Sequence, residues 1–566
     1  MANTLNGLPN EILHNIFKYL DPRDLGRIFR VSKQLKKFMT DKVLFKEVYC
    51  YLLDGPVNAF KPAGFDYKEE LIKFCIARRI LQSDKKVEDK RNDIVQISKY
   101  LTEACYISTP KESQTIQRMK NWFDDNRGYP RKQRDNIEAF LCQSSTFFRA
   151  RHIENTLPNL TLEERQASAK LHVFYGVPLF LPRTRKWHTT YPYAVSVVYD
   201  LRNYTEETKW GPYLSDGQAS VDWEKMEAVM LVLGHNMHAF CRQTHGMFPK
   251  VWSVPFGGIA PNSYVDDGRF NKDKKEERVF TGWEGMAEEV RRPLPKGFED
   301  PYNITGTWTR VVCFLDFHDL FAYNFTTGQP EPDQARPALN TTEAIRLITM
   351  EIRATKSEPP GPEDGQALPI YHFEGISTSS MNTSWDPNAN SSIRGTVRLT
   401  KEGEVRWQTI SVFAGEERWA SEGIQVGGIR SGRGVLGHWF DKDHDIHGPA
   451  GPTAFWKVSD GFREPSDDDA DHPHAMYHQT TANVQYDDDE DEEDEEAEGG
   501  EEGQEHVYEL GTVAESDLVT ELQLGGQTAS QLHDVLAQIV MGHLQQHHHY
   551  QHHPIQGQGD DEDEEG

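Results

Sequence analysis

Three aspartates, Asp441, Asp443 and Asp445, alternate along the chain as the first ligands of a calcium-binding loop do. Such a loop needs glycine at its sixth position and a bidentate glutamate at its twelfth. This chain has Ile446 and Pro452 at those positions. The aspartates therefore do not predict a calcium site.

Histidines near these aspartates have the chemistry to bind zinc. No cysteine accompanies His438, His444 and His447, however, and their spacing fits no standard zinc site. The stretch is rich in glycine and proline, which is typical of a turn. We interpret it as a hairpin with solvated histidines.

A further group, His235, His238 and Cys241, recurs at helical spacing, which favours a packed helix face over a metal site. The sequence holds no Walker phosphate loop, no G-x-S-x-G elbow and no set of protein-kinase motifs. We therefore expect no catalytic residue, no metal and no cofactor. A metal-dependent enzyme built on the histidines is the alternative.

Arginine and tryptophan cluster in the same part of the chain. Both are common anchors of recognition pockets, although the tryptophans could equally form the core of a β domain. Successive side chains of a strand face opposite sides, so Arg406 and Trp407 cannot share a face, and neither can Arg418 and Trp419 if that stretch is extended. We expect the tryptophans inside and the arginines outside, where guanidinium groups would bind an acidic or C-terminal peptide segment. The predicted substrate-binding residues are Arg406, Arg418, His438 and Trp439.

The surrounding segments have the pattern of β-strands. Thr307–Leu315 and Ile345–Ile352 are rich in β-branched and apolar residues, and Gly395–Phe413 holds two alternating runs on either side of Gly403. These patterns predict two strands and a hairpin. We expect an antiparallel β-barrel or sandwich over residues 301–460, and we favour the barrel.

The segments before this β domain differ in pattern. Residues 51–246 have helical periodicity and are interpreted as a linker and scaffold region. Their clearest element is Val221–Phe240, a helix that Asp222 can cap. Residues 247–300 combine glycine, proline and charge, which indicates an irregular connector.

Residues 8–49 carry more apolar side chains than three short helices can bury among themselves. Ile12, Ile16 and Leu20 form a stripe on a first helix, and Pro22 suits the start of the second. Apolar side chains that the helices leave exposed are available to a partner.

The order and spacing of these residues resemble the F-box family. The matching residues are Leu8, Pro9, Glu11, Ile12, Ile16, Tyr19, Leu20, Asp24, Leu25, Val31, Ser32, Lys33, Asp41, Leu44 and Phe45. Ser32 stands where many members have cysteine, and Leu35 and Phe45 stand where tryptophan is common. F-box segments bind the adaptor Skp1 and so join a protein to a cullin-RING ubiquitin ligase. The resemblance implies an adaptor-facing surface that consists of Leu8, Pro9, Ile12, Ile16, Leu20, Leu25 and Val31.

Two alternatives remain for this stretch. It could be a three-helix hairpin packed on its own body, or a DNA-binding helix-turn-helix. Ser466–Gly566 holds 29 of the 89 acidic residues and none of the 61 lysines and arginines, which leaves 60 acidic against 61 basic residues before it. A body this close to neutral argues against nucleic acid as a partner.

A second resemblance covers Gly423–Trp456. Around Pro449, Ala450, Gly451 and Phe455 it is similar to the hairpin region of the β-barrel that follows the F-box in cyclin-destroying F-box proteins. This likeness implies the type of domain and no binding residue.

Residues 461–566 are predicted to form a disordered acidic and His-rich tail. The tail contains an acidic block at Asp487–Glu502 and a His-rich stretch at Gln545–His553. Between them, Thr528–Leu544 has the spacing of an amphipathic helix and is interpreted as a docking segment. The six cysteines are scattered and no apolar leader or membrane span is visible, so we expect a cytoplasmic or nuclear protein without a membrane partner.

Together these patterns predict an α+β chain with an F-box at 1–50, a helical region at 51–246, a connector at 247–300, a β domain at 301–460 and the tail. The resemblance implies the substrate-recognition subunit of an SCF (Skp1-cullin-F-box) E3 ubiquitin ligase, with the β domain binding an unknown protein substrate. The alternative is an F-box protein that acts with Skp1 outside a ubiquitin ligase, as an assembly or interaction module.

Overall fold

The structure is a computed structural model that describes residues 5–55, 64–108, 112–123, 130–151, 160–177, 185–244, 251–266, 290–292, 294–326, 328–331, 334–379, 391–462 and 481–483. Within these residues the predicted α+β class is confirmed: N-terminal helices, a helical middle region and a closed antiparallel barrel follow one another. The acidic block, the His-rich stretch and the predicted docking segment lie outside the described residues, as does much of the connector.

Helices dominate the first half of the chain. In chain order the helices α1 to α14 are Asn10–Phe17, Pro22–Ile28, Lys33–Lys36, Lys42–Leu52, Tyr67–Leu81, Val87–Arg91, Ile94–Tyr106, Gln114–Phe123, Pro130–Phe140, Ser145–Arg151, Leu162–Tyr175, Arg185–Val198, Trp223–Thr244 and Phe317–Phe325. The last of these lies within the β domain, where the sequence pattern did not predict a helix.

Side-chain caps set the starts of the N-terminal helices. Asp21 accepts a hydrogen bond from the backbone N–H of Arg23 at 2.9 Å, and Pro22 occupies the first helical position of α2. Asp41 accepts from the N–H groups of Val43 and Leu44 and so begins α4. Short polar residues therefore divide this apolar stretch into separate helices.

The middle region is built around α11 and α13. Helix α11 packs against α7 and α13, and α12 packs against α13 and α10. Thr161 and Glu164 form a reciprocal capping box at the start of α11. The predicted cap of α13 is confirmed, because Asp222 accepts hydrogen bonds from the N–H groups of Glu224 and Lys225.

Strands form the second half of the chain. In order, the strands β1 to β9 are Gly306–Phe314, Ala344–Glu358, Ile370–Ser379, Ser391–Leu399, Val405–Phe413, Glu416–Gln425, Val435–Asp441, Ala450–Ser459 and Thr481–Asn483. The predicted hairpin is confirmed as β4 and β5, with Gly403 in the left-handed region at φ 90° in the turn between them.

The first eight strands form a closed barrel. Each pairs antiparallel with its neighbour in sequence, and β1 pairs with both β2 and β8, which closes the ring. Helix α14 lies in the connection from β1 to β2, and β9 pairs with the first residues of β2. The prediction that favoured a barrel over a sandwich is confirmed.

Two apolar cores stabilise these parts. One runs through the helices and onto the outer face of the barrel, where Val311 and Cys313 of β1 contribute to it. The other fills the barrel and includes Trp308 of the same strand. Because neighbouring residues of β1 belong to different cores, the helical region and the barrel share one continuous packed interface.

Candidate functional site

The N-terminal helices α1 to α4 pack around aromatic rings. Leu13 and Phe17 of α1 are fully buried, and the ring of Phe17 makes edge contacts with Phe29 and Phe38 at centroid distances of 6.0 and 5.2 Å. These contacts give the short helices an interior of their own. These aromatic contacts also determine which face of α1 points away from that interior.

The outward face of α1 is apolar. Ile12 and Ile16 lie four residues apart, on the same side of the helix, and are 47% and 39% exposed. Val31, after α2, is 77% exposed. Of the other residues that the resemblance places at the adaptor surface, Pro9 is exposed, and Leu8 and Leu20 are half-buried.

Leu25 differs from the rest of the predicted surface. It is 2% exposed and belongs to the apolar core of the helices. Its side chain therefore contributes to the interior of this unit rather than to the face that a partner would touch. Contact of any of these residues with an adaptor stays a prediction.

Four further apolar residues of the same domain are exposed, although none was predicted at the adaptor surface. They are Leu5, Tyr19, Val43 and Tyr51. The rings of Tyr19 and Tyr51 contact each other edge-on at 5.3 Å although the two residues are far apart in the chain. Helical periodicity alone could not reveal this pair, because it depends on how α4 returns to the end of α1.

A charged contact joins α2 to the helical region. Both carboxylate oxygens of Asp21 accept hydrogen bonds from the guanidinium of Arg78 on α5, at 2.6 and 2.8 Å. Partial burial by itself would raise the pKa of Asp21, but the hydrogen bonds from Arg78 and from the backbone of Arg23 outweigh it, and the pKa lies below its usual value. Asp21 is thus both a helix cap and an anchor.

A second set of contacts joins the helical region to the barrel. Glu404, in the turn between β4 and β5, accepts hydrogen bonds from the hydroxyl of Tyr106 at 2.7 and 2.9 Å and from Nζ of Lys170 at 3.0 Å. Arg433 is buried and donates to the backbone carbonyl of Phe174. These side chains hold the barrel against α7 and α11.

The four predicted substrate-binding residues do not share one surface. Arg406 lies on the outer face of β5, where its guanidinium pairs with Glu422 at 2.7 and 2.9 Å under the ring of Tyr213. His438 is also on the outer face and is buried beside Tyr204. Burial, with Lys225 nearby, lowers the pKa of His438 to about 3, so its imidazole is neutral at physiological pH.

The other two predicted residues lie on β7 and β6. Trp439 belongs to the row of β7 that faces the interior, and its Nε1 donates to the carbonyl of Cys313 at 2.9 Å. Arg418 lies beside Trp419 at an irregularity of the pairing between β5 and β6, and it is half-buried. The expected division holds for Trp407, which is inside the barrel. A role in substrate binding stays a prediction for all four residues.

The aspartates and histidines with metal-like spacing have other contacts. Asp441 accepts hydrogen bonds from the backbone N–H groups of Asp443 and Asp445 and so shapes a turn. His444 stacks on Trp210 at 3.7 Å, and His235 stacks on Tyr191 at 3.6 Å. In the described ranges no three His, Cys, Asp or Glu side chains come together in a way that could hold a metal ion.

Comparison with known proteins adds one match. Residues 5–51 match the family model described as F-box-like, which covers α1 to α4. Comparisons with curated proteins and with solved structures found no match. None of the helices in the described part of the chain has the length and apolar character needed to cross a membrane.

The caps of α2 and α4 and the apolar outward face of α1 all lie within the matched residues. The match supports binding to the adaptor Skp1 and an adaptor role in an SCF-type complex. Residues 5–51 of this chain are an F-box-like domain.

Proposed function

We propose that this chain is the substrate-recognition subunit of an SCF E3 ubiquitin ligase. The F-box-like domain binds Skp1 and through it the cullin-RING core, and the barrel binds a protein substrate. Ubiquitin transfer takes place on the partners of the complex, so the chain itself is not an enzyme. The observation that carries this proposal is the exposed apolar face of a domain that matches the F-box-like family.

The exposed apolar side chains of the F-box-like domain favour binding to a partner. Ile12, Ile16 and Val31 remain exposed, although burial of their exposed parts would contribute a share of the ~1.5–3 kcal/mol that a fully buried side chain gains, before the costs of association. Leu13 and Phe17, on the opposite side of α1, already supply the interior of the domain. The exposed parts of Ile12, Ile16 and Val31 are therefore available to the adaptor.

The links between the three parts support a receptor role. Asp21 and Arg78 fix the F-box-like domain on α5, and Glu404 fixes the barrel on α7 and α11. A substrate held by the barrel would therefore keep a defined position relative to the adaptor. Such positioning is what a ligase needs in order to bring substrate lysines to its catalytic partner.

We also propose that the protein works in the cytoplasm, the nucleus or both. No disulfide bond joins the six cysteines within the described residues, and Cys105, Cys142 and Cys313 are buried. Cysteines outside disulfide bonds agree with a reducing compartment. Fluorescence microscopy of a tagged full chain tests this proposal, and accumulation in the secretory pathway would contradict it.

Affinity purification of the full chain tests the proposed function. We expect the wild type to recover Skp1 and cullin, and to accumulate ubiquitin-modified partners when the proteasome is inhibited. The double variant Ile12→Asp/Ile16→Asp should lose Skp1 and cullin together, because a charge on this face cannot be buried against the adaptor. Ile72→Asp is the matched control, since Ile72 is equally exposed but lies on α5, outside the F-box-like domain.

Two outcomes separate the alternatives. Recovery of Skp1 without cullin, and no partner that accumulates on proteasome inhibition, would favour an assembly or interaction module outside a ubiquitin ligase. Retention of Skp1 by the Ile12→Asp/Ile16→Asp variant would contradict the placement of the adaptor surface.

A further inference from the structure

The F-box-like domain carries a local excess of positive charge. Between Pro22 and Lys46 the sequence holds eight lysines and arginines and only two acidic residues, Asp24 and Asp41. The residues before Ser466 are together close to neutral. The positive charge of this short stretch is therefore a property of the domain and not of the chain as a whole.

Three arginines form a stripe on α2. Arg23, Arg27 and Arg30 follow one another at spacings of four and three residues, so they lie on one side of the helix and of the turn that ends it. All three are exposed, whereas Leu25 and Phe29 are buried on the other side. The packing of α2 therefore directs these arginines to solvent.

Five lysines continue this charge on the next two helices. Lys33, Lys36 and Lys37 are exposed on α3 and on the turn after it, and Lys42 and Lys46 are exposed one turn apart on α4. The opposite sides of both helices are buried in the interior of the domain. We call the three arginines and these five lysines the basic surface.

Most of the basic surface lacks an acidic partner within the described residues. Arg27 forms an ion pair with Asp24 at 2.9 Å. Arg23 and Arg30 donate to uncharged oxygens, those of a glutamine side chain and of a backbone carbonyl respectively. The five lysines form no ion pair with any carboxylate in the part of the chain that the structure describes.

The basic surface does not contribute to the stability of the domain. Like charges three or four residues apart on a helix repel each other, as Lys33 and Lys37 do, and as Lys42 and Lys46 do. An acidic partner bound to these side chains would remove the repulsion. A surface that concentrates one sign of charge also attracts a partner of the opposite sign. The arrangement is therefore suited to binding rather than to folding.

The basic surface adjoins the apolar face that is predicted to contact the adaptor. Val31, which is 77% exposed, directly follows Arg30 in the chain and stands two residues before Lys33. A partner bound to Arg30 and Lys33 would obstruct the approach of the adaptor to Val31. Occupation of the basic surface and adaptor binding would then exclude each other.

The same chain contains an acidic counterpart. The acidic block, Asp487–Glu502, holds 13 acidic residues in 16 positions and no lysine or arginine. It lies outside the described residues, but its composition alone makes it an anionic ligand. It follows β9, which ends at Asn483, so it is covalently attached to the barrel of the same molecule.

Covalent attachment makes a weak contact effective. A single ion pair between exposed side chains is weak, and salt screens it. A segment of the same chain, however, has an effective concentration of about 1 mM at a site within its reach. A block that binds with a Kd of about 0.1 mM would then be bound about ten times more often than free, and would weaken a competing adaptor about tenfold.

We propose that the acidic block binds the basic surface of the F-box-like domain and thereby competes with Skp1. Carboxylates of the block pair with the exposed lysines and arginines, and the bound block covers the neighbourhood of Val31. The competition with Skp1 rests on the proposed function, whereas the contact between the acidic block and the basic surface does not.

Carbodiimide cross-linking of the full chain tests the contact itself. The reagent condenses a carboxylate with a neighbouring lysine amine to an amide and takes up the water as a urea. Mass spectrometry of the digested protein should find links from the acidic block to Lys33, Lys36 and Lys37, and about tenfold fewer of them in 0.5 M than in 0.05 M sodium chloride. The control lysines are Lys86 and Lys99, which are also exposed but lie outside the F-box-like domain.

Two results of the cross-linking would overturn the proposal. One is a block that links to Lys86 and Lys99 as often as to the basic surface. The other concerns a mixture of ¹⁵N-labelled and unlabelled chain, in which links within one molecule join peptides of the same label. Links that join only peptides of different label would show a contact between copies instead of a contact within the chain.

The affinity of purified Skp1 tests the competition. The neutral-block variant is the full chain with the 13 acidic residues of the block replaced by Asn and Gln. Isothermal titration calorimetry in 0.05 M salt should show that it binds Skp1 about tenfold more tightly than the wild type does, with no difference in 0.5 M salt. Equal affinity of the two proteins in 0.05 M salt would overturn the competition.

Charge reversal of the basic surface separates the remaining readings. Lys33→Glu/Lys36→Glu/Lys37→Glu should raise the affinity for Skp1 in the wild-type chain, because the block is released, and should change nothing in the neutral-block variant. Equal weakening in both chains would show that the adaptor itself contacts the basic surface, and would overturn the proposal. Lys86→Glu/Lys99→Glu is the matched control, with circular dichroism as the check on folding.

A failure of the proposed function gives a different result. If no chain binds Skp1 while the cross-links to Lys33, Lys36 and Lys37 persist, the adaptor role is contradicted and the contact of the acidic block with the basic surface is retained.

Discussion

Asp21 and Arg78 connect the F-box-like domain to the rest of the molecule through two hydrogen bonds, of 2.6 and 2.8 Å, between one carboxylate and one guanidinium. Asp21 also caps α2. A change at Arg78 therefore affects both the start of a helix in the adaptor-binding domain and the attachment of that domain to α5.

We predict that Arg78→Met lowers the free energy of unfolding by about 1 kcal/mol at pH 7, because it removes one partner of a partly exposed bidentate ion pair. The pKa of Asp21 is depressed in the folded protein, so the contribution of the pair is complete above the ordinary aspartate pKa and is lost as the pH falls through the folded value. Urea unfolding at pH 7 and pH 3 should show a difference between wild type and variant that shrinks at the lower pH. Arg79→Met, on the exposed side of α5, should show no such difference.

The outward face of α1 gives a direct prediction for adaptor affinity. Ile12→Asp/Ile16→Asp should weaken binding of purified Skp1 at least about 100-fold, because two apolar contacts are lost and two charges would have to be buried at the interface without partners. Isothermal titration calorimetry measures this effect, and circular dichroism should show an unchanged fold since neither residue is in the core. Full affinity in the variant would show that another face binds the adaptor.

The helices of the F-box-like domain could be predicted from contacts between residues close together in the sequence. Its helices are short, and Asp21, Pro22 and Asp41 set their limits through contacts with residues two or three positions away. The burial of Leu25 could not be predicted in the same way, because it depends on how separate helices pack together. Helical spacing identifies an apolar residue, but it does not decide whether a partner or the domain itself covers that residue.

Local sequence patterns predict even less of the barrel. The hairpin around Gly403 follows from alternation and a turn residue, both of which are local. Strands β7 and β8 are buried on nearly every residue, since the helical region covers their outer face, so they lack the alternation by which a half-exposed strand is found. The contact between Arg310 and Thr409 joins residues that are distant in sequence, and only the closure of the barrel brings them together.

The hydrogen bonds of Glu404 to the helical region lead to a prediction about the stability of the protein. Glu404→Ala should lower the free energy of unfolding by about 2 kcal/mol, because Tyr106 and Lys170 both lose their acceptor in a buried setting. Combination with Tyr106→Phe should cost less than the sum of the two single changes, since both remove the same hydrogen bond. Glu402→Ala, in the same turn but exposed, is the control. Additive effects in the double variant would show that the hydroxyl and the carboxylate do not interact.

Glu343 leads to a prediction about pH. This carboxyl is buried between α12, α13 and the barrel, and its oxygens accept hydrogen bonds from the hydroxyls of Tyr191 and Tyr199 and from the amide of Asn236. No cation pairs with it among the described residues. Burial raises its pKa more than these three neutral donors lower it, so the folded protein holds this proton more strongly than the unfolded chain does.

The free energy of unfolding must therefore fall as the pH rises from the ordinary glutamate pKa through the folded value, because the folded state binds more protons over this interval. Glu343→Gln keeps the shape of the side chain and removes the titration. We expect the variant to be more stable than the wild type at pH 8 and to lose most of this advantage at pH 4, as measured by thermal unfolding at both values. Glu374→Gln, on the exposed face of β3, should leave the pH profile unchanged. If the stability of Glu343→Gln changes with pH as steeply as that of the wild type, then ionisation of Glu343 does not lower the free energy of unfolding.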